Sequence, residues 1–477
     1  MPPVQSTTSG TSPLRLRPAE RRTLLLTGDV AAVLLAWATA VYFWWVGDRL
    51  VVGFPGRAYI ADLPLWFHLL PVFWLLLLVE LYTPHKASRW RETVRGVVMA
   101  ALAGGVIYLV VYFTSPPLSL PRKGVAVFFI AATIYTLLWR YVYIRVFNAP
   151  RFMRRVLVVG AGKAGRAILQ AIHSVDPSPF EVVGVLDDDP QKWGNTFESE
   201  PVLGGSDQLL KIVRRERISD LIVAISGEMH GRMFQAILDA QEQGVEIATM
   251  AAVYEELLER VPIKHLDADW LIRSFVDEAR VSAFYLMGKR AVDILGGLVG
   301  VVLLACLFPW VALAIVLESG FPVFFKQTRS GKGGRPFTMI KFRTMRPVPP
   351  GEDEGKWADD DAHRITALGA FLRKTHLDEF PQFINVLMGD MSVVGPRPEQ
   401  PALIADLEKR IPFYRARLLV KPGVTGWAQV NYGYVASVHD TEIKLGYDLY
   451  YIKHRSLLFD LVIILRTLGT VFGGKGR

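Results

Sequence analysis

At 477 residues the chain is too long for one ordinary soluble domain, and 51% hydrophobic residues with a mean hydropathy of +0.28 indicate a membrane protein of several domains. The net charge of +9 does not point to nucleic acid, because aromatic and apolar residues crowd the same regions and no nucleic-acid module is readable; an anionic bilayer surface and anionic substrates account for it better. The single cysteine, Cys306, excludes an intramolecular disulfide framework and a cysteine-based zinc cage.

Residues 1–20 read as a disordered tail, rich in Ser, Thr and Pro as far as Pro18. The apolar run behind it is too long for a cleavable signal peptide. A bilayer core takes about 20 apolar residues per helix, and four runs within 21–150 meet that length, at 23–46, 63–81, 94–114 and 125–147. A four-helix transmembrane bundle is predicted. Arg15, Arg17, Arg21 and Arg22 precede the first run, Lys86, Arg89, Arg91 and Arg95 fill the second loop, and Arg145, Arg151, Arg154 and Arg155 follow the fourth. The other two loops carry only Arg49 and Arg57, or Arg122 and Lys123, so the positive-inside rule puts both ends of the bundle in the cytoplasm. Trp44, Trp45, Trp66 and Trp90 fall near span ends, where interfacial anchors sit, although an apolar interior suits Trp equally.

Residues 151–262 switch to an α/β pattern. A buried-strand run at 156–159 leads into Gly160, Gly162 and Gly165, which open a helix, and a second strand at 182–186 ends in Asp187. Further strands at 221–225 and 245–248 complete a doubly wound, Rossmann-like domain. The glycine loop presents backbone N–H groups at a helix N-terminus, which suits a pyrophosphate, and Asp187 stands near the distance expected of a ribose contact. A retained fold with tight turns and no nucleotide fits the same residues.

A linker at 263–284 leads to the last domain, 285–477. Its first feature is an apolar segment at 291–316 behind Lys289 and Arg290, with Asp293 one turn inside its start and Pro309 interrupting it after Phe308. Were it to cross, everything beyond would lie outside the cell, where nucleotide-activated substrates are lacking. A re-entrant, non-spanning hairpin resolves this, because proline removes an intrahelical hydrogen bond and clashes with the preceding turn. Lys289 and Arg290 would then snorkel into the headgroups. The plain alternative is a fifth span with a tolerated proline.

Beyond the apolar segment, three basic clusters bracket one carboxylate pair: Lys341-Phe342-Arg343, Arg373-Lys374 and Pro396-Arg397-Pro398 around Asp378-Glu379. Guanidinium forks around a lone acidic pair suit a phosphate-bearing substrate. Lys341 and Arg343 alternate along a predicted strand, 337–345, so they share a face and fit either phosphate contacts or a solvated edge. Pro381 cannot sit deep in a helix, which leaves Asp378 at or near a first helical turn, where the helix dipole favours an ionised carboxylate. Capping acids without chemistry are the bland account of the pair. Arg397 either pins a turn or clamps a phosphate or uridine. Asp359-Asp360-Asp361 sits in a Gly/Pro/acid-rich loop and reads as solvated charge. Asp390 reads as structural, and Lys421 and Trp427 as loop-shaping.

The motifs Pro322-Val323-Phe324-Phe325-Lys326-Gln327, Lys341-Phe342-Arg343-Thr344-Met345, Leu377-Asp378-Glu379-Phe380-Pro381-Gln382, Gly389-Asp390-Met391-Ser392-Val393-Val394-Gly395-Pro396-Arg397-Pro398 and Lys421-Pro422-Gly423-Val424-Thr425-Gly426-Trp427 occur in that order. Together they resemble the bacterial sugar transferase family, monotopic polyprenyl-phosphate hexose-1-phosphate transferases that start exopolysaccharide and O-antigen assembly. The whole chain looks like the large, multidomain version of that family. The resemblance implies transfer of a sugar 1-phosphate from a UDP-sugar to undecaprenyl phosphate with release of UMP, at the cytoplasmic face of the bacterial inner membrane. It implies Mg²⁺ as cofactor with no requirement for NAD, Asp378 as nucleophile and Glu379 as its metal-linked partner, and it is compatible with a homodimer. One departure is the helix break, commonly Ser-Pro in the family and Phe308-Pro309 here. A covalent acyl-phosphate would split one transfer between two anionic substrates into two displacements.

Two other functions share parts of this pattern. A membrane-anchored NAD-dependent UDP-sugar dehydratase or epimerase needs a Tyr-x-x-x-Lys in its nucleotide domain, and the one candidate, Tyr285 to Lys289, abuts the apolar segment instead. A nucleotide-sensing transporter needs a charge chain within its spans, where only Asp29 and Glu80 stand out, both near span ends.

Overall fold

The computed structural model describes residues 18–49, 60, 63–82, 89–114, 122–147, 153–176, 178–225, 227, 229, 231–265, 282–346, 364–433 and 437–472. The expected tail up to residue 17, most of the expected linker, the run Asp359-Asp360-Asp361, and the charges Arg57, Lys86 and Arg151 lie outside the described residues. The described part is mostly helical with a mixed sheet, and it divides into two compact units, Met1–Leu257 and Leu258–Arg477.

The first unit begins with helices α1 (Pro18–Arg49), α2 (Leu65–His68), α3 (Leu70–Leu77), α4 (Trp90–Thr114) and α5 (Arg122–Phe147). Within α1 and α5, Glu20–Val46 and Gly124–Val146 are long and apolar enough to cross a membrane. These two helices pack closely because Gly28 has no side chain; a Cβ there would lie 1.9 Å from the Trp139 ring. The run at 63–81 does not form the single span expected of it. Pro71 lies in the first turn of α3, has no N–H to donate and collides with the carbonyl four residues back, so α2 stops at His68. Asp29, one of the two charges that stand out in the spans, is paired with Arg140 of α5 at 2.7 Å, and both side chains are fully buried.

The same unit continues as a six-stranded sheet: β1 (Arg154–Val159), β2 (Phe180–Leu186), β3 (Thr196–Phe197), β4 (Glu200–Gly204), β5 (Asp220–Val223) and β6 (Glu246–Thr249), in the order β3-β4-β2-β1-β5-β6. All pairings are parallel except β3 with β4. Helices α6 (Lys163–Ser174), α7 (Ser206–Glu216) and α8 (Gly231–Glu242) connect the strands, as the doubly wound reading requires. After β6, α9 (Met250–Leu258) follows.

The second unit is organised around α10 (Ala283–Ser319), 37 residues in length and therefore about 55 Å long. It is the third helix apolar enough to cross a membrane. Phe308-Pro309 does not end the helix: α10 runs through it with Pro309 in its interior. Proline forfeits one intrahelical bond, and here the turn is held from outside, because Phe308 stacks on Phe324 at 5.6 Å and on Phe342 at 6.4 Å. One stripe of α10, Asp293, Gly297, Gly300, Leu304 and Ile315, is buried. On the remaining surface, Leu295, Leu298, Val302, Trp310 and Leu317 are exposed.

Against the buried stripe lie the antiparallel hairpin β7 (Phe324–Ser330) and β8 (Pro336–Phe342), helices α11 (Ala367–Lys374) and α12 (Gln382–Met388), and β9 (Ser392–Val394), which pairs in parallel with β10 (Gly423–Thr425). Helices α13 (Pro401–Arg410), α14 (Trp427–Asn431), α15 (Val438–His454) and α16 (Leu457–Phe472) close the core. Its centre includes Val386, Met391, Tyr414, Trp427, Leu449 and Ile463.

Candidate active site

Asp378 and Glu379 sit in a 3-10 turn, Leu377–Glu379, that follows His376 in the left-handed region at φ 58°. Pro381 is the N-cap of α12. The pair therefore stands just ahead of the helix, which leaves Asp378 near its first turn, as expected. The αL residue redirects the chain after α11, and the bend aims both acids at the same cluster of cations.

Glu379 Oε1 accepts from Lys341 Nζ at 2.9 Å and from Arg397 Nη2 at 2.9 Å. Burial alone would raise its pKa, but Arg397 and Lys341 outweigh that and hold the carboxyl well below the ordinary glutamate range. Asp378 differs. It is 8% exposed, no hydrogen bond to its carboxylate is found among the described residues, and burial raises its pKa against the pull of Lys341. Two adjacent acids are thus driven apart, one a locked anion and the other a poised, untied carboxylate, which is the pattern of a reacting pair.

The remaining basic residues divide. Lys341 reaches the pair from β8 and Arg397 from the Pro396-Arg397-Pro398 segment, whose backbone is fixed on both sides: Pro396 O accepts from Gly423 N at 2.9 Å, and Pro398 O accepts from Arg329 Nη1 at 3.3 Å. Arg373 acts on Asp378 electrostatically and donates from Nε to Thr344 Oγ1 at 3.0 Å. Arg343 is not in the cluster. Its Nη2 donates to Ser319 O at 2.9 Å and Ser319 Oγ at 2.8 Å, and to Gly320 O, capping the C-terminus of α10.

Lys289, Arg290 and Asp293 all face protein rather than headgroups. Lys289 Nζ donates to Val394 O at 2.8 Å and pairs with Asp460 at 3.1 Å. Arg290 donates to Val386 O and Leu387 O at 3.0 and 2.9 Å, and Asp293 Oδ1 accepts from Ser392 Oγ at 2.7 Å and Val393 N at 2.9 Å. Snorkelling loses to this network because each head group finds a buried partner. Tyr285 also donates to Asp460, at 3.4 Å, so Tyr285 and Lys289 serve one buried acid. Trp427 is in the core, donating to Glu259 O at 2.9 Å.

In the Rossmann-like domain a Cβ on Gly160 would lie 2.7 Å from Ala224 O, and one on Gly165 would lie 2.0 Å from Gly160 O, whereas Gly162 faces open space. Two of the three glycines are therefore required by packing. The Asp187 carboxylate accepts from Ala161 N at 2.8 Å, Asp189 N at 3.0 Å and Lys192 Nζ at 2.9 Å, so the acid expected to read a ribose braces the glycine loop instead.

Among the described residues no three His, Cys, Asp or Glu side chains converge as a metal cage. Mg²⁺ does not demand one, since it is usually held by one or two carboxylates plus substrate phosphate oxygens. Glu379 fits that need: both of its cations use Oε1, and no hydrogen bond to Oε2 is found among the described residues. Sequence reasoning missed Arg417, Asp448 and Asp460, all nearly inaccessible to solvent. For Asp460 the available signal was a charge inside an otherwise apolar helical run, because such groups are buried only in pairs; Arg417 and Asp448 lie in mixed-polarity segments that carry no such signal.

A model of the family described as bacterial sugar transferase matches residues 284–474, and one described as CoA-binding domain matches 78–251. A UDP-N-acetylgalactosamine-undecaprenyl-phosphate N-acetylgalactosaminephosphotransferase of Aeromonas hydrophila is 43% identical over 47% of this chain and 52% of its own length. A UDP-glucose:undecaprenyl-phosphate glucose-1-phosphate transferase of Escherichia coli (strain K12) is 32% identical over 68% of each, and one of Xanthomonas campestris pv. campestris is 31% identical over 58% of this chain and 57% of its own. The chain thus spans about half the length of the first of these relatives and about two thirds of the second. A solved Rex-family repressor aligns at 14% identity with a TM-score of 0.20, over 47% of this chain and 99% of its own, a likeness too slight to bear on the fold. On the length and identity of these matches, the chain belongs to the bacterial sugar transferase family.

Proposed function

We propose that this protein transfers a hexose 1-phosphate from a UDP-sugar to undecaprenyl phosphate at the cytoplasmic face of the bacterial inner membrane, releasing UMP. The observation that carries the reading is the split pair: Glu379 gripped by Lys341 and Arg397, each at 2.9 Å, beside a buried Asp378 with no hydrogen-bond partner among the described residues. An Asp378 carboxylate oxygen attacks the sugar-bearing phosphorus. A new P–O bond forms, the bond to the bridging oxygen breaks, and its electron pair leaves on UMP. A phosphate oxygen of undecaprenyl phosphate then attacks the same phosphorus and frees the carboxylate. Lys341 and Arg397 offset the charge that gathers on the diphosphate. Magnesium, held by Glu379, supplies further positive charge there when bound.

Docking of α10 supports a helix that does not cross. Near its start Asp293 is bound by β9, and at its end Ser319 and Gly320 are bound by Arg343, so both ends of a helix about 55 Å long rest on one compact unit. A transmembrane course would divide that unit between two compartments. The exposed apolar surface of α10 then lies in the cytosolic leaflet, while α1 and α5 contribute a multi-pass anchor of their own. The dehydratase reading is disfavoured by the occupied carboxylate of Asp187, and the transporter reading by the neutralising Asp29–Arg140 pair.

The test incubates purified full-length protein with Mg²⁺ and radiolabelled UDP-glucose or UDP-N-acetylgalactosamine, without lipid acceptor. UMP release with label retained on the protein is expected, and Asp378→Asn should abolish both. Turnover by that variant at the wild-type rate would rule out Asp378 as the nucleophile.

A further inference from the structure

Against the backbone of the Pro396-Arg397-Pro398 segment lies a second ionic cluster, centred on Arg417. Its guanidinium is nearly inaccessible to solvent, with a side-chain exposure of 3%, and pairs at 3.0 Å with Asp448, itself 2% exposed. The same Nη2 donates to the backbone carbonyl of Arg397 at 2.9 Å, and Nη1 donates to Tyr414 Oη at 2.8 Å. Glu399, two residues past Arg397, lies 3.7 Å from Arg417 and 3.6 Å from Arg329. Its backbone carbonyl accepts from Ser330 N at 2.9 Å.

Stability is a poor explanation for such a cluster. Desolvating several charges costs about as much as their attraction returns, and well-packed apolar residues of similar volume serve a core equally well or better. What the charges provide here is direction. A carbonyl held by a buried, doubly anchored guanidinium cannot rotate, and the carbonyl in question belongs to the residue whose side chain meets Glu379. Pro396 and Pro398 restrict the neighbouring φ angles, which leaves the Arg397 peptide as the part most in need of fixing.

We propose that Arg417 is a positioning residue for the transfer reaction: oriented by Asp448, it fixes the Arg397 backbone so that the Arg397 side chain holds its place on Glu379 and the substrate diphosphate. The inference rests on the function proposed above and deepens it. Arg417 itself touches no reacting atom.

The test is a double-mutant cycle on the full-length protein, read as the initial rate of UMP release from UDP-glucose or UDP-N-acetylgalactosamine with Mg²⁺ and without lipid. Arg397→Ala and Arg417→Lys should each slow release about 10- to 100-fold, the range one charge-assisted hydrogen bond covers. If Arg417 works through Arg397, Arg417→Lys should slow the Arg397→Ala protein by no more than about 3-fold, a non-additivity expected of residues acting in one chain. Multiplicative losses, or a single Arg417→Lys variant at the wild-type rate, would overturn the inference. Should Arg417→Lys fail to give a cooperative thermal transition, Asp448→Asn keeps the side-chain volume and is judged by the same cycle. Absence of UMP release by the wild-type protein would instead count against the proposed function.

Discussion

Lys341 and Arg343 stand two residues apart in one motif, yet substituting them should have different consequences. Lys341 Nζ lies 2.9 Å from Glu379 Oε1. Unit charges at that separation attract by about 6 kcal/mol at an effective dielectric of about 20, and removing one partner of a buried pair costs about 3–5 kcal/mol. Arg397 shares the same oxygen at 2.9 Å, so the net loss should be smaller, about 2–3 kcal/mol, or about 30- to 150-fold in rate if it falls on the transition state. Arg343 caps the carbonyls of Ser319 and Gly320, an interaction worth about 1.5–3 kcal/mol. Its Nε and Nη1 are buried without a hydrogen-bond partner among the described residues, and removing that burden returns about 1–3 kcal/mol. Lys341→Met should therefore slow UMP release strongly, while Arg343→Met should stay within about 3-fold of the wild-type rate, with little change in thermal midpoint. Equal loss of UMP release in the two variants would put Arg343 on the substrate and refute the assignment.

The rate of UMP release should fall on acidification through a pKa above the ordinary aspartate value of 3.8, because burial raises Asp378 and the carboxylate must be ionised to attack. Glu379 stays charged throughout, and Lys341→Met, which removes a cation that lowers the Asp378 pKa, should move the acid limb to still higher pH; a limb at or below 3.8 contradicts the role given to Asp378. Gly300→Leu should lower the thermal midpoint by an amount equivalent to about 1–3 kcal/mol, since even a Cβ at this position would lie 2.1 Å from the root of the Phe383 ring. An unchanged midpoint would mean that α10 is not seated on α12 as described.

What could be read from the chain differs from element to element. The carboxylate pair and its two gripping cations were legible because unlike charges in separate motifs have few ways to be satisfied other than by meeting. The contrast between Lys341 and Arg343 was not: alternation puts i and i+2 on one face only while the strand lasts, and β8 ends at Phe342. The apolar length of 291–316 was plain, but the fate of Pro309 depends on Phe324 and Phe342, residues distant in sequence that stack on Phe308. Hydropathy at 63–81 suggested a span because composition does not weigh one missing N–H at Pro71. The Asp29–Arg140 pair joins helices more than a hundred residues apart in sequence, which local pattern does not report.

The two ends of α12 connect these observations. Its N-terminal end follows Asp378 and Glu379 by a single turn, and its C-terminal carbonyls, Val386 O and Leu387 O, are held by Arg290 of α10. Seven residues of helix make a strut of about 10 Å, seated on α10 where Gly297 and Gly300 leave room for Leu387 and Phe383. Asp293 of the same helix holds Ser392 and Val393 in β9, and β9 runs straight into Pro396-Arg397-Pro398. The acids and the arginine that meets them are therefore supported from one helix by two short, stiff connections, so a tilt of α10 carries both together and leaves their mutual geometry intact. If, as proposed, the apolar surface of α10 rests in lipid and Asp378 is the nucleophile, α10 sets the height of that carboxylate above the bilayer, where a phosphate on a membrane-bound carrier would meet it.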